Sequence, residues 1–400
     1  MIGNLPEHGY AWPALEFEAV AWERGDTKYA SRRQLRQAAG KYQAAIPLEI
    51  AKRDFNLPSE LLAAAEDATS ALVRFDSEVG HIPTPFAAIL LRTESASSSE
   101  IERLTVSAKQ LALAELGNTK TPNSALVLAN VRAMEAALEF AQHLDANSIV
   151  AMQRALLGEP EVTQKQGWRN EQVWIGGGIS PHTAEFVPPV HGRIQHFIDD
   201  LMRFIDRDDL PVLAQIAIAH AQFETIHPFV DGNGRTGRAL VQSLLRAKGV
   251  TVSTTVPLSA GLLNEAAQYV EALTAYRLGN LEPIVAEFAN SAFRAVENGS
   301  WLRKELSRIE ENWKPQTVGR TGSVASKLGT YLLRQPVVSI ASIVTEFSVT
   351  APVALQAVRK FEAIGALEQT NQNRRNRTWQ APQVLKAMEE FAARARRARQ

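Results

Sequence analysis

Apolar residues recur every three or four positions along most of this 400-residue chain. The stretches PSELLAAAEDATSALVRFDSEV and NSALVLANVRAMEAALEFAQHL show this spacing clearly, and both are rich in Ala, Leu and Glu. Such spacing gathers the apolar side chains on one face of an α-helix. The sequence therefore predicts a mainly α-helical protein. It also predicts a helical first hundred residues, with two helices separated by the serine-rich patch at residues 95–99.

The stretch QGWRNEQVWIGGGISPHTAEFVPPV, residues 166–190, has a different pattern. Two short pieces rich in β-favouring residues, VWI and EFV, flank a turn that contains glycine and proline. This arrangement is typical of a β-hairpin. We predict a hairpin here and no other sheet in the first three hundred residues.

Composition limits the class of protein. The apolar fraction of 45% can fill a core, and the chain carries no cysteine, which excludes disulfides and thiolate metal sites. The apolar runs are too short for a membrane span, and the start lacks the pattern of a signal peptide. We therefore expect a soluble, cytoplasmic protein with no membrane partner.

The formal net charge of +0 is unevenly distributed. Residues 315–400 contain 13 Lys and Arg but 5 Asp and Glu, and the rest of the chain has the opposite excess. Within this basic part, VSIASIVTEF and APVALQAVRKFEAIGAL read as two helices joined by the turn SVT, and EQTNQNRRNRTWQA reads as a β-wing. The segment therefore resembles a winged helix-turn-helix, preceded by a predicted linker at residues 312–323.

The segment HPFVDGNGRTGR, residues 227–238, precedes a predicted amphipathic helix. Arg235 and Arg238 lie three apart in the first turn, where the positive end of the helix dipole disfavours cations. Two arginines at this place indicate a bound anion. Gly232 and Gly234, with Asn233 tolerating a left-handed conformation, could turn backbone N–H groups toward a phosphate. The set suits a di- or triphosphate.

Two further residues of this segment suggest a reaction. Asp231 beside a polyphosphate has the chemistry of a Mg²⁺ ligand. His227 lies four residues earlier, just before Pro228, where the preceding helix should end. An imidazole beside a phosphate site can act as a general base toward an incoming hydroxyl. The sequence therefore predicts attack on phosphorus.

These residues carry a family resemblance. HPFVDGNGRTGR resembles the active-site motif of the Fic family, H-x-F-x-[DE]-G-N-G-R-x-x-R, at every defining position. The stretch GWRNEQVWIGG…EFVPP resembles the family's flap, and the basic tail resembles the winged helix of long bacterial members. The resemblance implies a Fic-type helical core with a β-hairpin flap, an N-terminal helical region and a C-terminal winged helix-turn-helix.

The resemblance also implies an activity, the transfer of AMP from Mg-ATP to a Ser, Thr or Tyr hydroxyl of an unidentified target protein. His227 would be the base and Asp231 the Mg²⁺ ligand, while Arg235 and Arg238 would hold the outer phosphates. Gly234 favours AMP transfer over phosphorylation. The other implied contacts are Gly232, Asn233, Gly234, Thr236 and Gly237 at the phosphates, Tyr269 and Arg277 near the adenine, and Val173, Trp174, Ile175 and Gly176 in the flap that pairs with the target.

A self-inhibitory motif is also suggested. Ser98 and Glu102 have the spacing of the family's [ST]-x-x-x-E-[GN] motif, although Arg103 stands where Gly or Asn is usual. The resemblance implies that Glu102 supplies the anion that Arg238 needs before ATP arrives. It would occupy the place of the γ-phosphate, and ATP would then bind with its α-phosphate misplaced for attack.

The predicted division of the chain has four parts: an N-terminal helical region with the inhibitory helix at 1–110, the catalytic core at 111–300, a helix and linker at 301–322, and the winged helix at 323–400. Two alternatives stay open at this point. One is removal of AMP by the same residues, and the other is a DNA-binding regulator with a vestigial Fic core. DNA contact through the tail and a homodimer are further expectations.

Overall fold

The computed structural model describes residues 12–22, 38–80, 86–118, 121–158, 167–177, 179–317, 323–370 and 377–397. The chain forms two compact units, each assembled from separate segments. The first unit comprises residues 1–69, 136–248 and 267–289, and the second comprises 70–135, 249–266 and 290–400. Within the described ranges most residues are helical, which confirms the prediction of a mainly α-helical protein.

The α-helices, in chain order, are α1 (Ser59–Gly80), α2 (Phe86–Ile101), α3 (Ala108–Glu115), α4 (Pro122–Glu139), α5 (Ala146–Leu157), α6 (Ile194–Ile205), α7 (Val212–Ile226), α8 (Asn233–Ala247), α9 (Leu258–Asn264), α10 (Ala266–Arg277), α11 (Glu282–Thr317), α12 (Val324–Arg334), α13 (Ile340–Phe347), α14 (Ala351–Ala363) and α15 (Pro382–Arg396). The strands are β1 (Glu16–Ala21), β2 (Lys41–Ile46), β3 (Val337–Ser339), β4 (Glu368–Gln369) and β5 (Thr378–Gln380). No single described helix has the length and hydropathy of a membrane span; α13 and α14 reach them only as a pair bent by 113°.

The prediction of a wholly helical N-terminal region is wrong. Strands β1 and β2 form an antiparallel pair in which Glu16 lies opposite Ile46. The residues KYQAAI read as a helix because of their alanines, yet Ala44 and Ala45 are fully buried in β2. The Ala45 N–H donates to the Val187 carbonyl at 3.0 Å. Non-local pairing therefore overrides local helix propensity here.

The predicted break at the serine patch is also wrong, because α2 continues through it to Ile101. Its serines are buried, and the hydroxyls of Ser95 and Ser99 donate to the carbonyls four residues earlier. The Asn130 amide of α4 donates to the Ser95 carbonyl at 2.8 Å. Buried serines that are hydrogen-bonded in this way do not interrupt a helix.

Helix α11 replaces two predicted helices and the first half of the predicted linker. It passes through Gly299, where an added Cβ would lie 2.7 Å from the Phe75 ring. It then continues past Trp313, which is buried and packs edge-on against Phe361 of α14 with ring centroids 5.8 Å apart. Close packing at both places keeps the chain helical. Residues 318–322 of the predicted linker lie outside the described residues.

The C-terminal part of the second unit, described over residues 323–370 and 377–397, contains the four helices α12 to α15 and a small sheet. Helices α13 and α14 are joined by residues 348–350 and cross at 113°, which is within the range of helix-turn-helix pairs. Strands β3, β5 and β4 are antiparallel neighbours in that order. The winged-helix interpretation stays a prediction, since residues 371–376 of the predicted wing lie outside the described residues.

Candidate active site

The site is built around the end of α7 in the first unit. From Leu213 to Ile226 every residue of α7 is buried, so this helix is a central element with a fixed end. The helix ends at His227, as predicted, and the His227 N–H donates to the Phe223 carbonyl at 2.9 Å. Pro228 follows and has no N–H with which to continue the helix. The imidazole therefore starts from a well-defined point of the backbone.

His227 has a left-handed backbone, with φ 49° and ψ 60°. This conformation is costly for a residue with a Cβ and is concentrated at functional sites. The residue that precedes a proline is also kept out of the right-handed helical region. His227 is half-buried in this position. His227, which the sequence predicts as the base, thus has a strained backbone conformation.

The loop between α7 and α8 is closed by Asn233. Its side-chain oxygen accepts from the Phe229 N–H, and its amide donates to the Phe229 carbonyl, both at 2.9 Å. Gly232 has φ +85°, and an added Cβ would lie 2.7 Å from Leu156 of α5. Only Gly232 supplies the left-handed turn. The prediction that Asn233 and Gly234 share this geometry is wrong, because both lie in the first turn of α8.

Helix α8 begins with an uncapped end. The described structure shows no side-chain cap on its N-terminal N–H groups, and its first turn contains no acid. Arg235 and Arg238 are buried, with Arg235 7% and Arg238 2% exposed. Asp231 remains half-exposed, 3.6 Å from the Arg235 guanidinium. N–H groups without a side-chain cap and two guanidiniums near one helix end form a donor set suited to polyphosphate.

The protein alone offers fewer groups for a metal ion than for a phosphate. The described residues contain no group of three His, Cys, Asp or Glu side chains that could hold a metal ion. Asp231 is a single half-exposed carboxylate beside the α8 end. Mg²⁺ commonly binds with one or two carboxylates when substrate phosphates complete its shell. The donor set at Asp231 therefore fits Mg²⁺ together with a nucleotide.

Thr236 and Gly237, predicted at the phosphates, face the protein interior. Thr236 is fully buried, and its N–H donates to the Gly232 carbonyl at 2.9 Å. A Cβ added to Gly237 would lie 2.6 Å from the Glu224 carboxylate of α7. Gly237 therefore allows α7 and α8 to approach closely. The geometry gives both residues a packing function beside the nucleotide contact that was predicted.

The flap is present as one antiparallel bridge between Ile175 and Phe186, rather than as a hairpin of regular strands. The Ile175 N–H donates to the Phe186 carbonyl at 2.8 Å. Gly176 has φ +70°, and a Cβ there would collide with Glu185. The predicted turn therefore lies at the predicted place. Gly178 lies outside the described residues.

An aromatic cluster that the sequence did not reveal joins the flap to the β1–β2 hairpin. Trp174 of the flap meets Trp22 edge-on with ring centroids 5.7 Å apart, and Trp22 meets Tyr42 of β2 at 5.9 Å. The Tyr42 hydroxyl donates to Gln172 at 3.1 Å. The flap is thus held against the β1–β2 pair, and the Trp174 ring is part of that contact.

Tyr269 and Arg277 on α10 contact the core of the first unit. Tyr269 is buried, and its hydroxyl lies 2.7 Å from Nε2 of His220 on α7. Arg277 lies over the Phe186 ring, 3.8 Å from its centroid, and donates to the Glu224 carbonyl at 3.4 Å. Burial lowers the pKa of Arg277 to about 10, against the opposing effect of Glu224. The adenine contacts of Tyr269 and Arg277 stay a prediction.

Sequence reasoning did not single out His220. It is fully buried on α7, and desolvation, with a smaller effect from the Arg238 charge, lowers its pKa to about 3. The side chain is therefore neutral near pH 7. A histidine among apolar residues of a predicted helix gives no local signal of this environment.

Arg169 belongs to the stretch that resembles the family's flap, and its sequence context did not indicate a role of its own. It is 3% exposed, and its Nε donates to the His227 carbonyl at 2.9 Å. Its neighbour Trp168 stacks on Phe229 with ring centroids 5.0 Å apart. Residues 167–169 therefore lie directly against the loop that carries His227.

Comparison with known families decides the classification. A model of the Fic/DOC family matches residues 143–245, which include α7, the loop and the start of α8. A model of the Fic/DOC family N-terminal region matches residues 62–139. This chain therefore contains a Fic/DOC domain, preceded by the N-terminal region of that family. The resemblance read from HPFVDGNGRTGR is therefore confirmed.

Individual relatives of this Fic chain are distant. Protein adenylyltransferase Fic of Drosophila mojavensis is 26% identical over 164 residues, which cover 41% of this chain and 30% of that protein. The Drosophila melanogaster protein of the same name is 26% identical over 204 residues, covering 50% and 37%. The chain thus spans about a third of the length of these relatives. A Fic family protein from Desulfovibrio desulfuricans G20 shares the fold, with a TM-score of 0.52, 18% identity, and coverage of 82% and 97%.

In the second unit of this Fic chain, the predicted inhibitory residues lie at the end of α2. Ser98 is fully buried, whereas Glu102 directly follows the helix and is exposed. Arg103 has φ +62°, and its N–H donates to the Glu100 carbonyl at 2.8 Å. The position at which the motif usually has Gly or Asn thus has the left-handed backbone those residues favour.

Proposed function

We propose that this Fic protein is a protein adenylyltransferase that moves AMP from Mg-ATP to a Ser, Thr or Tyr hydroxyl of a protein, itself included. The observation that carries the proposal is the joint placement of His227 and the uncapped α8 end on one loop closed by Asn233. The name shared by the Drosophila relatives supports it. Because those relatives are only partly covered, the activity is our inference for this chain.

The proposed step is an in-line displacement at the α-phosphorus. The acceptor hydroxyl oxygen forms a bond to phosphorus, the bond from phosphorus to the bridging α–β oxygen breaks, and pyrophosphate leaves. His227 takes the hydroxyl proton on its imidazole. The N–H groups at the start of α8 and the guanidiniums of Arg235 and Arg238 stabilise the phosphate charge without rearranging during the reaction.

Asp231 is the residue that would hold Mg²⁺ in this proposal. When bound, the ion would neutralise charge on the phosphates. The distance of 3.6 Å between Asp231 and the Arg235 guanidinium places a cation partner beside this carboxylate in the described structure.

Labelled nucleotides test the activity. The protein is incubated with Mg²⁺ and a cell lysate, in parallel with ATP labelled at the α-phosphate and at the γ-phosphate. AMP transfer places the α-label, but not the γ-label, on protein. The His227→Ala variant is the control and should lose at least ~10²-fold of the labelling. Release of label from a previously modified protein would favour the alternative of AMP removal, and γ-labelling would indicate phosphorylation.

We also propose that Glu102 restrains this activity by competing with the terminal phosphate of ATP. Support comes from the Ser98–Glu102 spacing, from the exposed carboxylate directly after α2, and from the left-handed backbone at Arg103. That backbone fits the Gly or Asn usual in the motif, so an arginine at this position does not change the turn that presents Glu102.

Paired variants test the restraint. Glu102→Gly should raise self-modification by up to ~10²-fold if misplacement of the α-phosphate is what slows the wild type. Glu100→Gly is the matched control, because Glu100 lies two residues before Glu102, in the last turn of α2, and pairs with Arg396 at 2.5 Å. Equal labelling of the wild type and Glu102→Gly would show that Glu102 does not restrain the activity.

A second candidate function is DNA contact by the C-terminal helices. The three-residue turn, the 113° angle and the exposed positions Gln356, Arg359 and Lys360 on α14 favour it. The double variant Arg359→Ala, Lys360→Ala should weaken binding of the full chain to duplex DNA and reduce its salt dependence. Lys386→Ala, an exposed change on α15, is the control. No binding by the wild type at low salt would refute the candidate.

A further inference from the structure

Arg169 is a buried guanidinium with no carboxylate among its described hydrogen-bond partners. Its Nε donates to the His227 carbonyl at 2.9 Å, one terminal nitrogen donates to the Glu171 carbonyl at 2.9 Å, and the other donates to the Pro189 carbonyl at 2.6 Å. Burial lowers its pKa to about 10, so it remains charged near neutral pH. Burying a charge without an opposite charge is costly, so the arrangement calls for a compensating gain.

The hydrogen-bond partners of Arg169 show what the burial of this charge achieves. Glu171 precedes the flap bridge and Pro189 follows it, so two of the bonds reach both ends of the flap. The third bond reaches the main chain of His227, and the Arg169 N–H adds a fourth by donating to the Pro228 carbonyl at 2.9 Å. One residue therefore connects the flap ends to the strained backbone of the proposed base.

Arginine suits this position for a geometric reason. Its planar fork directs donors at fixed angles, whereas a lysine ammonium is a point charge that cannot reach three separated carbonyls in the same way. The left-handed conformation of His227 has to be held by its surroundings. The bond to its carbonyl is one such constraint, and Trp168 stacked on Phe229 is another.

We propose that Arg169 is a positioning residue for AMP transfer, which fixes the His227 main chain to both flap ends so that base and acceptor hydroxyl are held in register. The inference rests on the proposed function, because it assigns the flap to the acceptor and His227 to the base. It adds a residue that acts through main-chain carbonyls of the flap ends and of residues 227 and 228.

The test compares Arg169→Lys with Arg203→Lys in the full-length protein. Arg203 is an exposed arginine on α6 that pairs with Asp200, so it controls for loss of a guanidinium in the same unit. For Arg169→Lys we expect kcat to fall about 10²-fold, since small displacements of a catalytic group have effects of that size. The Kd for ATP, measured by calorimetry, should be unchanged. Amide hydrogen exchange at residues 227–231 should become faster.

The outcomes separate the two proposals. If the wild type transfers no AMP, the proposed function fails, and faster exchange in Arg169→Lys still supports the positioning of His227. Unchanged kcat with unchanged exchange would overturn the inference. So would a parallel loss of kcat, ATP affinity and thermal stability, which is the sign of general unfolding. If Arg169→Lys does not fold, Arg169→Ala with added guanidinium replaces it, and recovered transfer supports positioning whereas no recovery opposes it.

Discussion

The described residues include three left-handed residues other than glycine, each at a helix end. His227 after α7 and Arg103 after α2 have φ 49° and 62°, and the third is Ser348 after α13. Around His227 the backbone is constrained by buried groups: Pro228 follows it, and Arg169 donates to its carbonyl. Around Arg103 the constraint is a local turn, in which Leu104 donates to the Ser99 carbonyl at 3.0 Å, and the Arg103 side chain is exposed.

Arg103 and His227 have a strained backbone for two different reasons. At Arg103 the turn alone accounts for the conformation, and a glycine would serve it at lower cost. At His227 the side chain is the proposed base, so the surroundings hold a conformation that a glycine would adopt freely. At His227 the strained conformation is therefore held by buried partners, as is common at functional sites, whereas at Arg103 the local turn is sufficient.

The largest expected effect is on activity at His227. His227→Gly relieves the backbone strain but removes the imidazole, so AMP transfer should fall at least ~10²-fold. ATP affinity should be kept, because the donors for phosphate lie on α8. Transfer rates and calorimetric Kd values measured on the same preparation check this. Near-normal transfer would show that His227 is not the base.

The second prediction contrasts two left-handed glycines. Gly232→Ala adds a Cβ 2.7 Å from buried Leu156, whereas Gly249→Ala has φ +71° and meets nothing within 4 Å. We expect unfolding free energies lower by about 2–3 kcal/mol for Gly232→Ala and by about 1 kcal/mol for Gly249→Ala. Denaturant titrations give both values. Equal losses of unfolding free energy in the two variants would mean that Leu156 moves aside without cost.

The third prediction concerns pH and His220. An unfolded histidine takes up a proton below about pH 6.5, while folded His220, with its pKa near 3, does not. Acid therefore favours the unfolded chain, and stability is lost as the pH falls from about 6.5 toward 3. The variant His220→Gln lacks this titrating group. The difference in unfolding free energy between wild type and variant should therefore decrease by about 1.4 kcal/mol for each unit by which the pH falls within that window. A gap that stays constant from pH 7 to pH 5 would contradict the assignment.

The smallest effect is expected at Arg103. Arg103→Gly removes the cost of the left-handed backbone at an exposed site, so the unfolding free energy should rise by about 0.5–1 kcal/mol. Thermal and denaturant unfolding of the pure protein measure the change. A loss of stability would show that the Arg103 side chain makes a contribution that outweighs the strain.

The sequence predicted those features that depend on neighbouring residues. The end of α7 at His227 and the left-handed turn at Gly232 follow from local rules for helix ends. Helix α8 was predicted to begin at Arg235 but begins at Asn233, so Arg238 lies in its second turn. The start of α1 at Ser59 and the left-handed Gly249 after α8 were predicted for the same reason.

What the sequence did not predict depends on distant partners. Strand β2 was read as helix because its burial arises from pairing with β1 and Val187. The serines of α2 were read as a break, although the Ser95 and Ser99 hydroxyls donate to local carbonyls. The buried partner that could not be foreseen is Asn130, 31 or more residues away, which donates to the Ser95 carbonyl and the Ser99 hydroxyl. The partners of Arg169 are carbonyls, and any residue offers a carbonyl, so no pattern of side chains could identify them.

The most direct measurement of the central claim is the intact mass of the protein after incubation with Mg-ATP. The wild type, Glu102→Gly, and the double variant Glu102→Gly, His227→Ala are compared. The account predicts a mass increase of one AMP per modified hydroxyl, larger in Glu102→Gly than in the wild type and absent from the double variant. An adduct with the mass of a phosphoryl group, an AMP adduct that persists without His227, or no adduct on a protein that binds ATP would contradict it.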